Sequence, residues 1–238
     1  PAKQTIYGFD KDAQGTYLRR RLSFTREFLN EKRLPNIVAW LANPDIHDPA
    51  HRNGVLSFAY LMLTSPVLGK FLASEAIRKS AGGGHARRFV RRHIMNIARD
   101  ALATMLFIPS FGYRRFISRR RIPGFFVYSA ANTYPLHYHG EQVPNKDSLV
   151  SLVQDRDELG MRKLKLDLRF TSQDIDGVIR AHRYWDEYLR RHRCGYLEYL
   201  TTDLESSVRE QASDGFHQVG TTRMAESAQD GVVGKQCN

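Results

Sequence analysis

Two alternating stretches and the helix signal behind them constrain this chain most. SLVSLV at 148–153 and KLKLDLRF at 163–170 set apolar and polar residues in turn, the period of strands with one buried face. Asp157 and Gly160 between them predict a tight turn. Thr171-Ser172-Gln173-Asp174 then forms a capping box, in which the threonine oxygen accepts from the third backbone N–H and the aspartate reaches back. The helix it opens, over about 172–194, carries Ile175, Val178, Ile179, His182, Trp185 and Leu189 on one stripe.

The upstream part mixes the same elements. TYLRRRLSF at 16–24 sets Leu18, Leu22 and Phe24 on one face of an extended strand, with Arg20 interrupting it, and NIVAWL at 36–41 has strand composition. Asp48-Pro49 and Ser65-Pro66 each place a capping side chain before a proline, predicting helices that run to about Leu63 and Ser80. From His85 onward Phe89, Val90, His93, Ile94, Ile97, Ala101, Leu102 and Met105 recur at helical spacing, with the arginines mostly elsewhere. GFFVYSAANTYPLHYHGEQVPN at 124–145 reads as a long strand or a pair of strands, so that 124–170 forms an antiparallel meander. Strands mixed with helices in this order predict an α+β fold, an antiparallel sheet flanked by helices.

With 238 residues, 42% apolar and 26% charged, the chain has the composition of a globular protein of one large or two small domains. Its longest apolar stretch, ALATMLFIP at 101–109, is far short of the ~20 residues that span a bilayer. A net charge of +11 points to an anionic partner. The segment 85–121 is both basic and apolar, which predicts contact with a membrane surface. Phe89, Tyr113 and Phe116 among the arginines would suit nucleic acid, but no nucleic-acid-binding motif accompanies them and nucleic acid is not the expected partner. A basic α+β binding module for nucleic acid or an anionic membrane surface is the rival reading of the whole chain.

Four stretches bear on chemistry. His137, His139 and Glu141 alternate and would share one strand face; two imidazoles and a carboxylate suit zinc or iron, yet no fourth ligand is spaced to join them, and the two histidines are expected as substrate-pocket residues with no metal. Cys194 beside His192 lies at a helix end, where no N-terminal field lowers a thiol pKa. GGGHARR at 82–88 is not a dinucleotide fingerprint, having Arg87 where the third glycine would stand. FHQVGTTRM at 216–224 sets His217 beside a Gly-Thr turn; an imidazole takes a proton near neutrality, or it simply bonds a backbone carbonyl while Gly220 supplies a left-handed turn.

HGEQVPNKDSLVSL, RDELGMRKLKLDLRF, RAHRYWDEYL and HQVGTTRMAESAQDGVV, in that order, resemble the C-terminal portion of the glucose-methanol-choline (GMC) flavoprotein oxidoreductases over about residues 136–238. That family typically shows an EQ-x-PN-x-x-SRV-x-L strand and turn, a GM-x-x-L-x-LDW strand and an H-x-x-GT-x-RMG loop. Its SRV arginine is Leu149 here, its LDW tryptophan Leu168 and its RMG glycine Ala225. The resemblance implies FAD-dependent oxidation of a small-molecule alcohol, with His217 as catalytic base and Gly220 and Thr221 at the cofactor. Electrons would pass on to oxygen, a quinone or a cytochrome. It also implies a substrate-binding domain over 1–215 and, from 216 to 238, the start of a catalytic loop returning to a flavin-binding domain. The chain begins at Pro1 and lacks the family's N-terminal fingerprint, so an internal fragment, inactive alone, is expected.

Overall fold

A computed structural model describes residues 8–81, 89–129, 131–212 and 220–236. It has an α+β fold of small antiparallel sheets and flanking helices, in two compact units, Pro1–Leu22 with Ala39–His137 and Ser23–Val38 with Tyr138–Asn238. The residue 215/216 boundary lies within the second unit and outside the described residues. Strands β3 (Leu22–Ser23), β4 (Ile37–Leu41) and β5 (Leu136–Gly140) form one sheet in that order. Ala42 N donates to Pro135 O at 2.9 Å and Glu141 N to Asn36 O at 2.7 Å, so β4 and β5 run antiparallel.

In the first unit, β1 (Phe9–Lys11) pairs antiparallel with β2 (Tyr17–Arg19). The strand expected over 16–24 is thus two short ones, broken at Arg20-Arg21, and Leu18 is exposed instead of joining a core face. Asp48 does cap a turn, accepting from Ala50 N at 2.8 Å, but this is one 3-10 turn, Pro49–His51. Arg52 then adopts a left-handed φ of 50°, which ends the turn, and Asn53 caps a fresh helix, α2 (Gly54–Leu63). Ser65 Oγ accepts from Leu68 N at 3.3 Å ahead of the short α3 (Leu68–Leu72), followed by α4 (Glu75–Ala81).

The helical pattern after residue 85 is divided at Asp100 into α5 (Val90–Arg99) and α6 (Ala101–Gly112), the latter continued by one π-helical turn, Tyr113–Ile117. Here the sequence expectation inverts. What α5 buries against α2 is polar, His93 and Asn96, while Phe89, Ile94, Leu102 and Met105 of the supposed core stripe are exposed. Buried amide and imidazole groups need partners, and α2 provides one in Ser57, which fixes the face α5 turns inward. Beyond the helices, Phe125–Val127 forms no strand among the described residues. The Asn43 side chain substitutes for a strand neighbour, donating from Nδ2 to Phe125 O at 3.1 Å and accepting from Val127 N at 2.8 Å.

In the second unit, α1 (Arg26–Lys32) is capped by Thr25, which accepts from Phe28 N at 3.3 Å. β6 (Leu149–Arg156) and β7 (Arg162–Asp167) make an antiparallel hairpin, with Val150 opposite Leu166 and Leu152 opposite Leu164. The turn is where Asp157 and Gly160 predict it: Gly160 has a φ of +77°, its N–H bonds Asp157 O, and Asp157 Oδ1 accepts from Leu159 N and Met161 N, both at 2.9 Å. The continuous meander is corrected, because β5 lies beside β4 and, among the described residues, β6 and β7 pair only with each other. Helix α7 (Ser172–Arg191) starts with both halves of its capping box formed. It buries Ile175, Ala181 and Trp185, with Trp185 stacked on Phe24 at 5.0 Å. A Cβ on Gly177 would come within 2.9 Å of the Pro35 ring, so glycine sets how closely α7 approaches that loop. A last helix, α8 (Leu204–Gln211), is capped by Asp203 and packs on α7.

Candidate functional site

His217 lies outside the described residues, and description resumes at Gly220. From there the chain forms a closed loop. Met224 and Val233 make a parallel bridge, Val232 N donates to Arg223 O at 2.8 Å, and Ala225 N donates to Val233 O at 3.0 Å. Gly231 supports this closure, since a Cβ there would meet Ala225 Cβ at 2.5 Å and Arg223 O at 2.7 Å. The absence of a side chain at 231 accommodates the methyl group of Ala225, at the position where the resemblance expects glycine. Gly220 has a φ of +90° with nothing within 4 Å of where its Cβ would be, and Thr221 and Thr222 are exposed. That leaves an open edge of backbone at Gly220, three positions after the expected base in sequence.

The two pocket histidines are placed on β5. His137 is exposed as a residue, yet its ring meets Trp40 edge-on at 6.1 Å. Burial of that ring lowers its pKa, opposed by Asp45 and reinforced by Arg19. Arg19 is held between rings, its guanidinium 5.5 Å from Phe9 and 5.9 Å from Trp40, and it donates to Leu41 O at 2.7 Å. His139 is exposed on the same strand, and Glu141 falls just beyond its end. Among the described residues no three His, Cys, Asp or Glu side chains converge as a metal site.

Sequence reading missed two features of the first unit. One is the polar core at α2 and α5. Asn96 Nδ2 donates to Pro49 O at 3.0 Å and to Ser57 Oγ at 3.1 Å, which leaves the serine proton for His93 Nδ1 at 3.0 Å. His93 Nε2–H then donates to His47 O at 3.3 Å, and the ring stacks on Tyr60 at 4.2 Å. Despite its Ser-His contact this is no nucleophile, because the imidazole has 0% exposure and both its nitrogens are engaged. Burial keeps it neutral by lowering its pKa.

The other is an aromatic cleft of about 280 Å³ under α6, lined by Phe9, Phe107, Phe111, Phe125, Phe126 and Arg114 among others. Gly8 and Gly124 admit its rings: a Cβ would stand 3.2 Å from Phe126 Cβ at the first and 3.3 Å from the Phe9 ring at the second. Such a cleft suits an apolar group with a polar end near Arg114. Its phenylalanines are scattered over more than a hundred positions, with no spacing in sequence to announce them.

His182, on the stripe of α7, packs edge-on to Tyr138 at 4.8 Å, and its Nε2 is buried without a hydrogen-bond partner. Burial depresses its pKa from 6.5 to about 4. The unfolded chain therefore binds the proton more readily than the folded one below pH 6.5, and folding stability falls as pH drops from about 6.5 to about 4. The expected loss is up to ~3 kcal/mol at 1.36 kcal/mol per pH unit. Urea denaturation at pH 7.5 and pH 4.5 checks this, and His182→Phe should flatten the dependence.

The family model described as GMC oxidoreductase matches residues 144–238. No curated protein and no solved structure matches the chain. The matched segment starts at Pro144, just after the strand-to-helix anchor at Val143, and takes in the β6-β7 hairpin, α7, α8 and the closed loop after Gly220. Residues 144–238 are therefore similar to a portion of the C-terminal domain of the GMC oxidoreductases, and this match supports an oxidoreductase function class.

Proposed function

We propose that this chain serves the FAD-dependent oxidation of an alcohol, with His217 taking the hydroxyl proton. The observation that carries the reading is the family match over residues 144–238, which contains His217 and the open Gly220-Thr221 edge. FAD, when bound, supplies the two-electron acceptor that the protein's own side chains lack. The chain's part is to place an imidazole nitrogen of His217 at the substrate hydroxyl. As the O–H proton passes to that nitrogen, electron density on oxygen rises, the carbinol C–H pair leaves as hydride, and the C–O single bond becomes a carbonyl. A positioned base is worth ~10²–10⁴-fold in such a step. Gly220, three positions after the proposed base in sequence, supports the reading, since its open backbone is what a ring system needs in order to approach. Anaerobic addition of a panel of primary and secondary alcohols to the holoenzyme is expected to bleach the oxidised flavin absorbance with at least one of them and to yield the matching carbonyl compound. A flavin that stays oxidised throughout the panel, while dithionite reduces it, overturns the proposal.

A further inference from the structure

Helix α6 is apolar on both sides. Its inner side places Thr104, Phe107 and Phe111 toward the unit, Thr104 buried and the two rings lining the aromatic cleft. Its outer side carries Leu102, Met105, Leu106 and Pro109, which at 100° per residue fall within an arc of about 100°, and the π-turn that follows exposes Tyr113, Phe116 and Ile117. These are core-type side chains facing outward: Leu102 is 73% exposed, Met105 69%, Leu106 65% and Ile117 73%. Scattered exposed leucines need no explanation, but a contiguous stripe along the whole of α6 and the turn after it marks a surface that something covers.

The charge around the stripe names the cover. Between residues 89 and 129 the sequence has eight arginines and one acidic residue, Asp100. That aspartate is turned inward, accepting from Gly54 N at 2.8 Å. Arg115 and Arg120 are tied to the carbonyls of Ile122 and Gln14. Arg91, Arg99, Arg114, Arg119 and Arg121 remain exposed, some before the stripe and some at its end. An apolar stripe between clusters of arginine matches a bilayer whose headgroups are anionic: side chains enter the headgroup–acyl boundary while guanidinium groups meet the phosphates. A nucleic acid would satisfy the arginines and leave the leucines wet, whereas a second copy of this surface would set arginine against arginine. No described helix is long and apolar enough to cross a membrane, so the contact is a lying-on one.

We infer that the outer face of α6 and the π-turn after it, flanked by these arginines, docks the protein on anionic membrane surfaces. The test is co-sedimentation of the full chain with vesicles of phosphatidylcholine alone and of phosphatidylcholine with about one-third phosphatidylserine. Binding is expected to the second at low salt and little to the first. The pair Leu106→Glu with Ile117→Glu, and separately Arg119→Glu with Arg121→Glu, should each lower the partition coefficient ~10-fold or more. All four side chains are exposed, and circular dichroism verifies that the variants fold. Equal partitioning onto both kinds of vesicle, or partitioning onto the acidic ones that survives Leu106→Glu with Ile117→Glu, overturns the inference. So does a lipid-free dimer in sedimentation velocity that Leu106→Glu dissociates, or retention on RNA without retention on vesicles.

Discussion

Replacing His217 by alanine is expected to slow flavin reduction by an alcohol ~10²–10⁴-fold, the range of a lost general base. The magnitude follows from what remains. The acceptor, the binding contacts and the open backbone at Gly220 and Thr221 would be unchanged, so hydride transfer should survive at the rate set by orientation without proton removal. Stopped-flow anaerobic reduction measures that step apart from reoxidation. Two further readings separate a base from a merely structural side chain. His217→Asn, which keeps a hydrogen-bonding group of similar size, should be nearly as slow as alanine. Added imidazole should recover part of the rate of His217→Ala, because the deleted group is a proton acceptor of the same chemistry. A variant that reduces at close to the parental rate removes His217 from the reaction, whatever the standing of the family match.

Local signals in this chain were legible where the residues that decide them are neighbours. The capping box at Thr171–Asp174, the turn at Asp157–Gly160 and the β6-β7 hairpin involve groups a few positions apart and form where the sequence places them, but the buried face that the alternation predicts is corrected, since Leu149, Val150, Leu152, Leu164 and Leu166 are all exposed. The helical period from His85 was legible as a period but not as a direction. Apolar spacing says that a face exists, while which face is buried depended on Ser57, some forty positions away, offering partners to His93 and Asn96. The same limit hid Asn43 in the role of a strand edge for Phe125–Val127 and so lengthened the expected meander. At the candidate site, the resemblance identified the loop and its glycine departure at Ala225. That Gly231 makes room for the extra methyl was not legible, because their contact exists only once the loop has closed.

Asp174→Ala is expected to cost the second unit ~3–4 kcal/mol, more than any surface change in the same helix. The carboxylate is 7% exposed and serves three donors: Thr171 N at 2.6 Å and Thr171 Oγ at 2.8 Å through one oxygen, Val143 N at 2.6 Å through the other. An N-cap alone is worth ~1 kcal/mol, but this side chain also ties the segment after β5 to the start of α7. Truncation to alanine strands two backbone N–H groups in a partly buried place, each carrying a desolvation cost of ~1–3 kcal/mol. Asp174→Asn discriminates between the contributions. One amide oxygen can still accept from Val143 N, whereas the amide nitrogen cannot accept from Thr171 N, so about half the loss should remain. Urea denaturation should show the midpoint falling in the order parent, asparagine, alanine with an unchanged slope. An alanine variant within ~0.5 kcal/mol of the parent, the range of ordinary surface substitutions, would mean that the junction at residue 143, just ahead of the family-matched segment, is held by something other than this carboxylate.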